Sequence, residues 1–178
     1  CIETRLGKTV MLAGHTDSVP VRLLSAITLT SMAFRVVYPA GRFTNFTITV
    51  NSSQVLTQEL SYPQPGQVQV SFTLPAANVL HGPASVGQLG FTALPNQSSA
   101  FVPLAISDVT SLKLDGDTAA NAFGLPGRVV VIGLEPLLEA WWETNRRPML
   151  TLYGNPAHGH VLEWKNNLFD ASWSSALS

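Results

Sequence analysis

The sequence predicts an all-β domain, a sandwich or barrel, with one helix and a short β-hairpin extension near the C-terminus. Three observations carry this. Short runs rich in Val, Ile, Thr and Phe recur from residue 9 to residue 132. Gly, Pro, Asn and Ser clusters separate them, as turns do between strands. No helical crossover of the kind a parallel α/β sheet needs lies between the runs.

Taken in order, the expected strands begin with Thr9–Leu12, Val19–Leu24 and Ser31–Tyr38. The next run is Asn45–Val50, where Phe46, Ile48 and Val50 alternate with Asn45, Thr47 and Thr49. Val55–Leu60 comes after it, and then Gln67–Leu74 gives the clearest signal. There Val68, Val70, Phe72 and Leu74 alternate with Gln67, Gln69, Ser71 and Thr73. Period two buries one face of a strand and leaves the other wet. Leu89–Leu94, Phe101–Ile106, Val109–Leu114 and Arg128–Ile132 complete the set. Turn chemistry sits at Tyr38-Pro39-Ala40-Gly41, Pro63-Gln64-Pro65-Gly66, Pro95-Asn96-Gln97-Ser98 and Asp115-Gly116-Asp117. The expected core includes Phe34, Val36, Phe46, Ile48, Val70, Phe72, Leu89 and Phe91.

Past residue 133 the pattern changes. Glu135-Pro136 resembles a helix start, with Pro at the first helical position. Leu137, Leu138, Trp141 and Trp142 would form its apolar side. Arg146-Arg147 suit a helix C-terminus and Pro148 would stop it. A linker helix over 134–148 is therefore expected. Strands over Met149–Tyr153 and His160–Trp164, with a turn at Gly154-Asn155-Pro156, would make the hairpin. The organisation read from this is a sandwich over 1–133, a linker helix over 134–148, and a short β segment over 149–178, either the start of a further module or a hairpin packed on the sandwich.

Composition narrows the function. Charged residues are 12% of the 178, against roughly 25% in an ordinary soluble domain. Low charge with much Thr, Ser, Gln and Asn suits a secreted, extracellular or cell-surface β protein of bacterial type. The net charge is -1, and Arg146-Arg147 is the only adjacent basic pair. A nucleic-acid partner calls for a basic patch, so none is expected. No run of 18 apolar residues occurs, so no transmembrane helix is expected. Cys1 is the lone cysteine, which excludes an internal disulfide. It marks either a fragment end or a lipidated N-terminus.

Each candidate chemistry has a plainer reading. No G-x-S-x-G elbow is present, and Gly82-Pro83-Ala84-Ser85 has the wrong spacing and reads as a turn. His158 and His160 could share a strand face toward a metal, but no third ligand is near. Glu135, Glu139 and Glu143 recur every four residues, as acids on an exposed helical face do, and glycoside hydrolysis is not expected of them. Asp115-Gly116-Asp117 could offer oxygen ligands to Ca2+ but lacks a full binding loop, so a turn is expected. Asn45-Phe46-Thr47, Asn51-Ser52-Ser53 and Asn96-Gln97-Ser98 fit the glycosylation triplet, common by chance in such a chain. All four tryptophans, Trp141, Trp142, Trp164 and Trp173, come after residue 140, where helix packing would use them. No catalytic residue, metal or cofactor is expected, and the chain reads as a non-enzyme.

Several segments between residues 6 and 133 are similar to a cohesin domain. They are Thr9–Leu12 with Gly14 after it, Val19-Pro20-Val21-Arg22-Leu23, Met32–Pro39 ending in an aromatic and a proline, and Phe43–Phe46 running to Val50. Gly87–Leu94, Asp115-Gly116-Asp117 and Gly127-Arg128-Val129 complete the likeness. The resemblance implies a jelly-roll sandwich. It implies a scaffolding module that binds the dockerin of a partner protein in polysaccharide-degrading assemblies. The related alternatives are a carbohydrate-binding sandwich and a structural spacer. Sugar binders stack rings on exposed aromatics, and the sandwich region has no Trp, which favours a protein partner.

Cohesins use one sheet face. If Phe34 and Val36 point inward, Ser31, Ala33 and Arg35 point outward by period two. Gln69 and Thr73 lie on the wet side of another strand. These five residues are the expected binding set, a flat face of small groups around one Arg. Arg suits the role because its planar fork can hold a carboxylate with two hydrogen bonds.

Overall fold

A computed structural model describes residues 1–50, 55, 57–74, 82–167, 169 and 171–177. The Asn51 triplet and residue 56 of the expected Val55–Leu60 strand lie outside the described residues. Within them there is no helix, and fifteen strands form. They are β1 (Ile2–Leu6), β2 (Lys8–Leu12), β3 (Thr16–Ser25), β4 (Leu29–Val37), β5 (Phe43–Val50), β6 (Thr57–Ser61), β7 (Gln67–Thr73) and β8 (Gly82–Ala93). After these come β9 (Ala100–Lys113), β10 (Ala122–Leu125), β11 (Gly127–Ile132), β12 (Leu137–Trp142), β13 (Pro148–Tyr153), β14 (Leu162–Trp164) and β15 (Ser174–Leu177).

Two sheets make the sandwich. One has the order β10-β1-β3-β8-β5 and the other β2-β11-β9-β4-β7-β6. The chain enters and leaves the sandwich by the same device. After β1 it changes sheet at Gly7, and after β10 it changes sheet at Pro126-Gly127. The two switching segments run parallel, β1 beside β10 and β2 beside β11. They pass so closely that a Cβ on Gly127 would lie 2.4 Å from the Gly7 carbonyl oxygen. Only glycine fits there.

Between the sheets lies one core. Val19, Val21, Leu23, Leu89 and Phe91 from the first sheet meet Phe34, Val36, Val70, Phe72 and Leu104 from the second. All the expected core residues are buried except Ile48, which is half-buried near an edge. Its strand has a bulge. Asn45 takes a positive φ of 52°, and the register with β8 shifts between Thr44 and Thr47. The bulge puts Phe43 and Phe46, three residues apart, on the same inward side, where both stack near Phe91 at 4.8 and 5.7 Å.

Several expectations are corrected. Phe101–Ile106 and Val109–Leu114 belong to one strand, β9, bent by a bulge at Asp108 (φ 50°). Ser85 lies within β8 opposite Arg22, and not in a turn. The expected helix over 134–148 is absent: residues 137–142 are a strand paired antiparallel with β13, Leu137 opposite Tyr153 and Trp142 opposite Pro148. The expected hairpin of 149–153 with 160–164 does not form either, because β13 pairs back with β12 and β14 pairs with β15. Glu135, Glu139 and Glu143 therefore share no helical face, and His158 and His160 lie in the loop before β14.

The helix reading fails because β12 carries apolar side chains on both faces, although the face of Leu138, Ala140 and Trp142 is exposed. In β12 the side chains of Leu137, Glu139 and Trp141 face one way, and those of Leu138, Ala140 and Trp142 the other. The first set turns to the sandwich. Glu139 takes two hydrogen bonds from Arg128, the one from Nη2 at 3.0 Å, and a third from the Tyr153 hydroxyl at 2.8 Å. Tyr153 meets Phe101 edge-on at 5.7 Å, and the Arg128 guanidinium lies 5.1 Å from the same ring. A strand apolar on both faces loses its period of two and imitates a helix.

Candidate functional site

The six-stranded sheet has an outer face, and its strand register says what stands on it. Ser31 pairs with Thr73, Ala33 with Ser71 and Arg35 with Gln69 across β4 and β7. On the other side of β4, Ser31 faces Leu112, Ala33 faces Thr110 and Arg35 faces Ser107. On β6, Thr57, Glu59 and Ser61 extend these rows beyond β7. Three parallel rungs result, each four strands wide. All five expected residues, Ser31, Ala33, Arg35, Gln69 and Thr73, fall on them. Phe34, Met32, Val70 and Phe72 point the other way and are buried.

The middle rung is the lowest. Ala33 is flanked by Ser71 and Thr110, and none of these three side chains extends past the γ position. Here and on the Ser31 rung the face sinks into an open depression of about 320 Å³, bordered by Leu112 and Thr118. The third rung carries charge. The β9 bulge opposite Phe34 turns Asp108 out of the sheet, and its carboxylate pairs with Arg35 Nη1 at 2.8 Å. Arg35 is two-thirds buried at its side chain and Asp108 over half exposed. The Arg35 Nε is enclosed and has no hydrogen-bond partner.

Asp108, Ser71, Thr110 and Glu59 complete the face and are absent from the expected set. Ser71 carries the same alternation as Gln69 and Thr73. Asp108 falls in the gap expected between two strands, so only a bulged single strand could have placed it.

The remaining candidate sites resolve into structural roles. At Asp115-Gly116-Asp117 the backbone N–H of Asp117 donates to the Asp115 carboxylate at 3.0 Å. Lys113 Nζ reaches Asp115 at 3.1 Å and Asp117 at 3.4 Å. That N–H, and then Lys113, hold the Asp115 carboxyl below its usual range, while Asp115 raises the Lys113 ammonium. The carboxylates thus close a turn around a lysine. No group of three metal-ligating side chains occurs among the described residues. The four tryptophans pack no helix and are 45–72% exposed. Among the described residues, no helix is long and apolar enough to cross a membrane.

A two-sheet jelly roll with a flat, polar outer face defines the class of the protein: an all-β sandwich. Within that class the fold is the cohesin fold. The cohesin CaCohA2 of Clostridium acetobutylicum, solved in complex with a variant of CaDoc0917, superposes with a TM-score of 0.65 at 18% identity, over 74% of this chain and 99% of that one. The OlpC cohesin of Clostridium thermocellum, in a type I complex with Doc435, gives 0.62 at 10% identity over 73% and 92%. A non-cellulosomal cohesin from the archaeon Archaeoglobus fulgidus gives 0.56 at 15% over 73% and 90%. No protein-family profile and no curated protein sequence matches the chain.

Proposed function

We propose that this protein is a non-catalytic docking module that binds a dockerin domain of a partner protein through the outer face of β9, β4, β7 and β6. The observation that carries the reading is the three-rung face itself: flat, low, uncovered and polar, on a fold whose solved examples include cohesins caught with dockerins. A buried protein interface needs close approach over a broad area, and small side chains on a sheet permit it. Ser31, Ala33, Arg35, Gln69 and Thr73 are its contact residues. The setting that fits is an extracellular or cell-surface scaffold of a polysaccharide-degrading assembly. A sugar-binding sandwich is the poorer reading, since the three rungs of the face carry no aromatic ring to stack on among the described residues.

The docking module comprises residues 1–133. Residues 134–178 are an extension whose β12–β13 hairpin is tied to the sandwich through Arg128, Glu139 and Tyr153. The share of the chain covered by the cohesins suits this division.

The test is titration calorimetry of the full chain against the dockerins encoded in the same genome. At least one should bind. Ala33→Arg, which raises a long side chain from the lowest rung, should weaken it by about 30-fold or more, the size of an interface hot spot. Binding unaffected by that change would move the partner to another surface.

A further inference from the structure

The rungs fix the charge layout of the face as well as its shape. Arg35 stands on β4 and Glu59 on β6, with one strand between them and one rung offset. At strand spacings of about 4.8 Å and a rung step of about 6.8 Å, their Cα atoms lie about 12 Å apart. Ser71, Ala33 and the hydroxyls around them carry no charge. The face therefore carries Arg35, ion-paired with Asp108, toward β9 and a lone carboxylate, Glu59, at the β6 edge.

The two ends are built differently. Arg35 is held by a dedicated element. The bulge at Asp108, in the left-handed region at φ 50°, costs backbone energy and turns that carboxylate toward Arg35. Asp108 engages Nη1. Among the described residues no ion pair engages the other terminal nitrogen of the fork. Glu59 forms no ion pair among the described residues.

We infer that this face selects a dockerin whose docking helix places a carboxylate over Arg35 and a basic side chain over Glu59, about two helical turns apart, with Asp108 as the positioning residue of Arg35. The inference rests on the docking face proposed above and adds the polarity of its partner. Two turns of helix span about 10.5 Å over seven residues, which suits the separation. Small side chains between the two charges match the low Ala33–Ser71 rung. An Arg already oriented by a neighbour loses less side-chain freedom on binding a carboxylate, so pre-positioning raises affinity. The opposite polarity sets an acid against Glu59, with which no cation among the described residues pairs, and is disfavoured.

The experiment uses the full chain and the tightest-binding dockerin of the same genome, with calorimetry at about 0.05 and 0.3 M salt. Arg35→Gln is expected to weaken binding about 30-fold, and Arg35→Lys, which keeps the charge without the fork, about 10-fold. Glu59→Gln, at the rim, is expected to cost about threefold and to reduce the salt dependence. Asp108→Asn keeps a residue that tolerates positive φ. It should cost about fivefold in the native background and nothing in Arg35→Gln, a coupling that a purely structural role would not produce. Wild-type affinity in Arg35→Gln and Glu59→Gln, while Ala33→Arg abolishes binding, would overturn the polarity and leave the docking face standing. A harmless Ala33→Arg would overturn the face itself. No binding by any of the dockerins would overturn both.

Discussion

The outer face of the six-stranded sheet has two halves, and they obey opposite rules. Toward β6, the outward positions are Ser31, Ala33, Arg35, Gln69, Ser71 and Thr73, and none of the described residues lies over them. Toward β2, the outward positions of β11 and β9 include Val130, Ile132 and Phe101, and the β12–β13 hairpin is anchored there through Arg128, Glu139 and Tyr153. Val130 is only 2% exposed although it lies outside the central core cluster, while its neighbours Val129 and Val131 belong to that cluster. One sheet surface thus has an apolar end that the chain covers for itself. Its other end is kept wet and low. The difference teaches that the bare half has not merely been left over: a surface that stays soluble alone and can still be approached closely is what reversible docking requires.

The same acidic substitution in the two halves should separate them most. Val130→Asp buries a charge beneath the hairpin with no partner. It is expected to cost about 3 kcal/mol or more of unfolding free energy, read by chemical denaturation. Ala33→Asp, equally outward but open to water, should cost under about 1 kcal/mol. Similar losses at both positions would erase the distinction between the halves.

A smaller effect is expected at the anchor. Arg128, and after it Tyr153, hold the Glu139 carboxyl below its ordinary value of 4.5, while Glu139 raises the Tyr153 phenol and the Arg128 guanidinium. A carboxyl lowered by folding contributes stability above its unfolded pKa and loses it as pH falls through the folded value. Hairpin packing should therefore be full at about pH 6 and weaken progressively below about pH 4.5. Glu139→Gln should be weaker at the higher pH and flatter on acidification. Because all four tryptophans lie between residues 141 and 173, their fluorescence reports the extension and not the sandwich. An unchanged acid limb in Glu139→Gln would remove Glu139 from the anchor.

The same division decides how much can be read from the sequence. In the open half each strand has one wet and one dry face, so Gln67–Leu74 and Ser31–Val37 announce both their fold and their outward residues. The five expected contact positions are legible as an outward set for that reason. Where a strand is apolar on both faces, alternation fades. Leu137-Leu138 and Trp141-Trp142 recur four apart and, beside Glu135-Pro136, imitate a helix. Short switch strands are silent for another reason. Ile2–Leu6 and Ala122–Leu125 owe their existence to each other and to β3, contacts distant in sequence that local patterning does not express. The bulge at Asp108 hides an ion-pair partner because it looks like a strand end. Shape and location of the face are thus local information, whereas its polarity needs the register of β4, β7, β9 and β6.

The most direct test of the docking account is an amide chemical-shift map of the full chain titrated with the dockerin that binds it. The account predicts perturbations concentrated in residues 31–37, 57–61, 67–73 and 105–113, with β1, β3 and β8 of the opposite sheet unmoved. Perturbations centred on that opposite sheet, or on the β12–β13 hairpin, would contradict it.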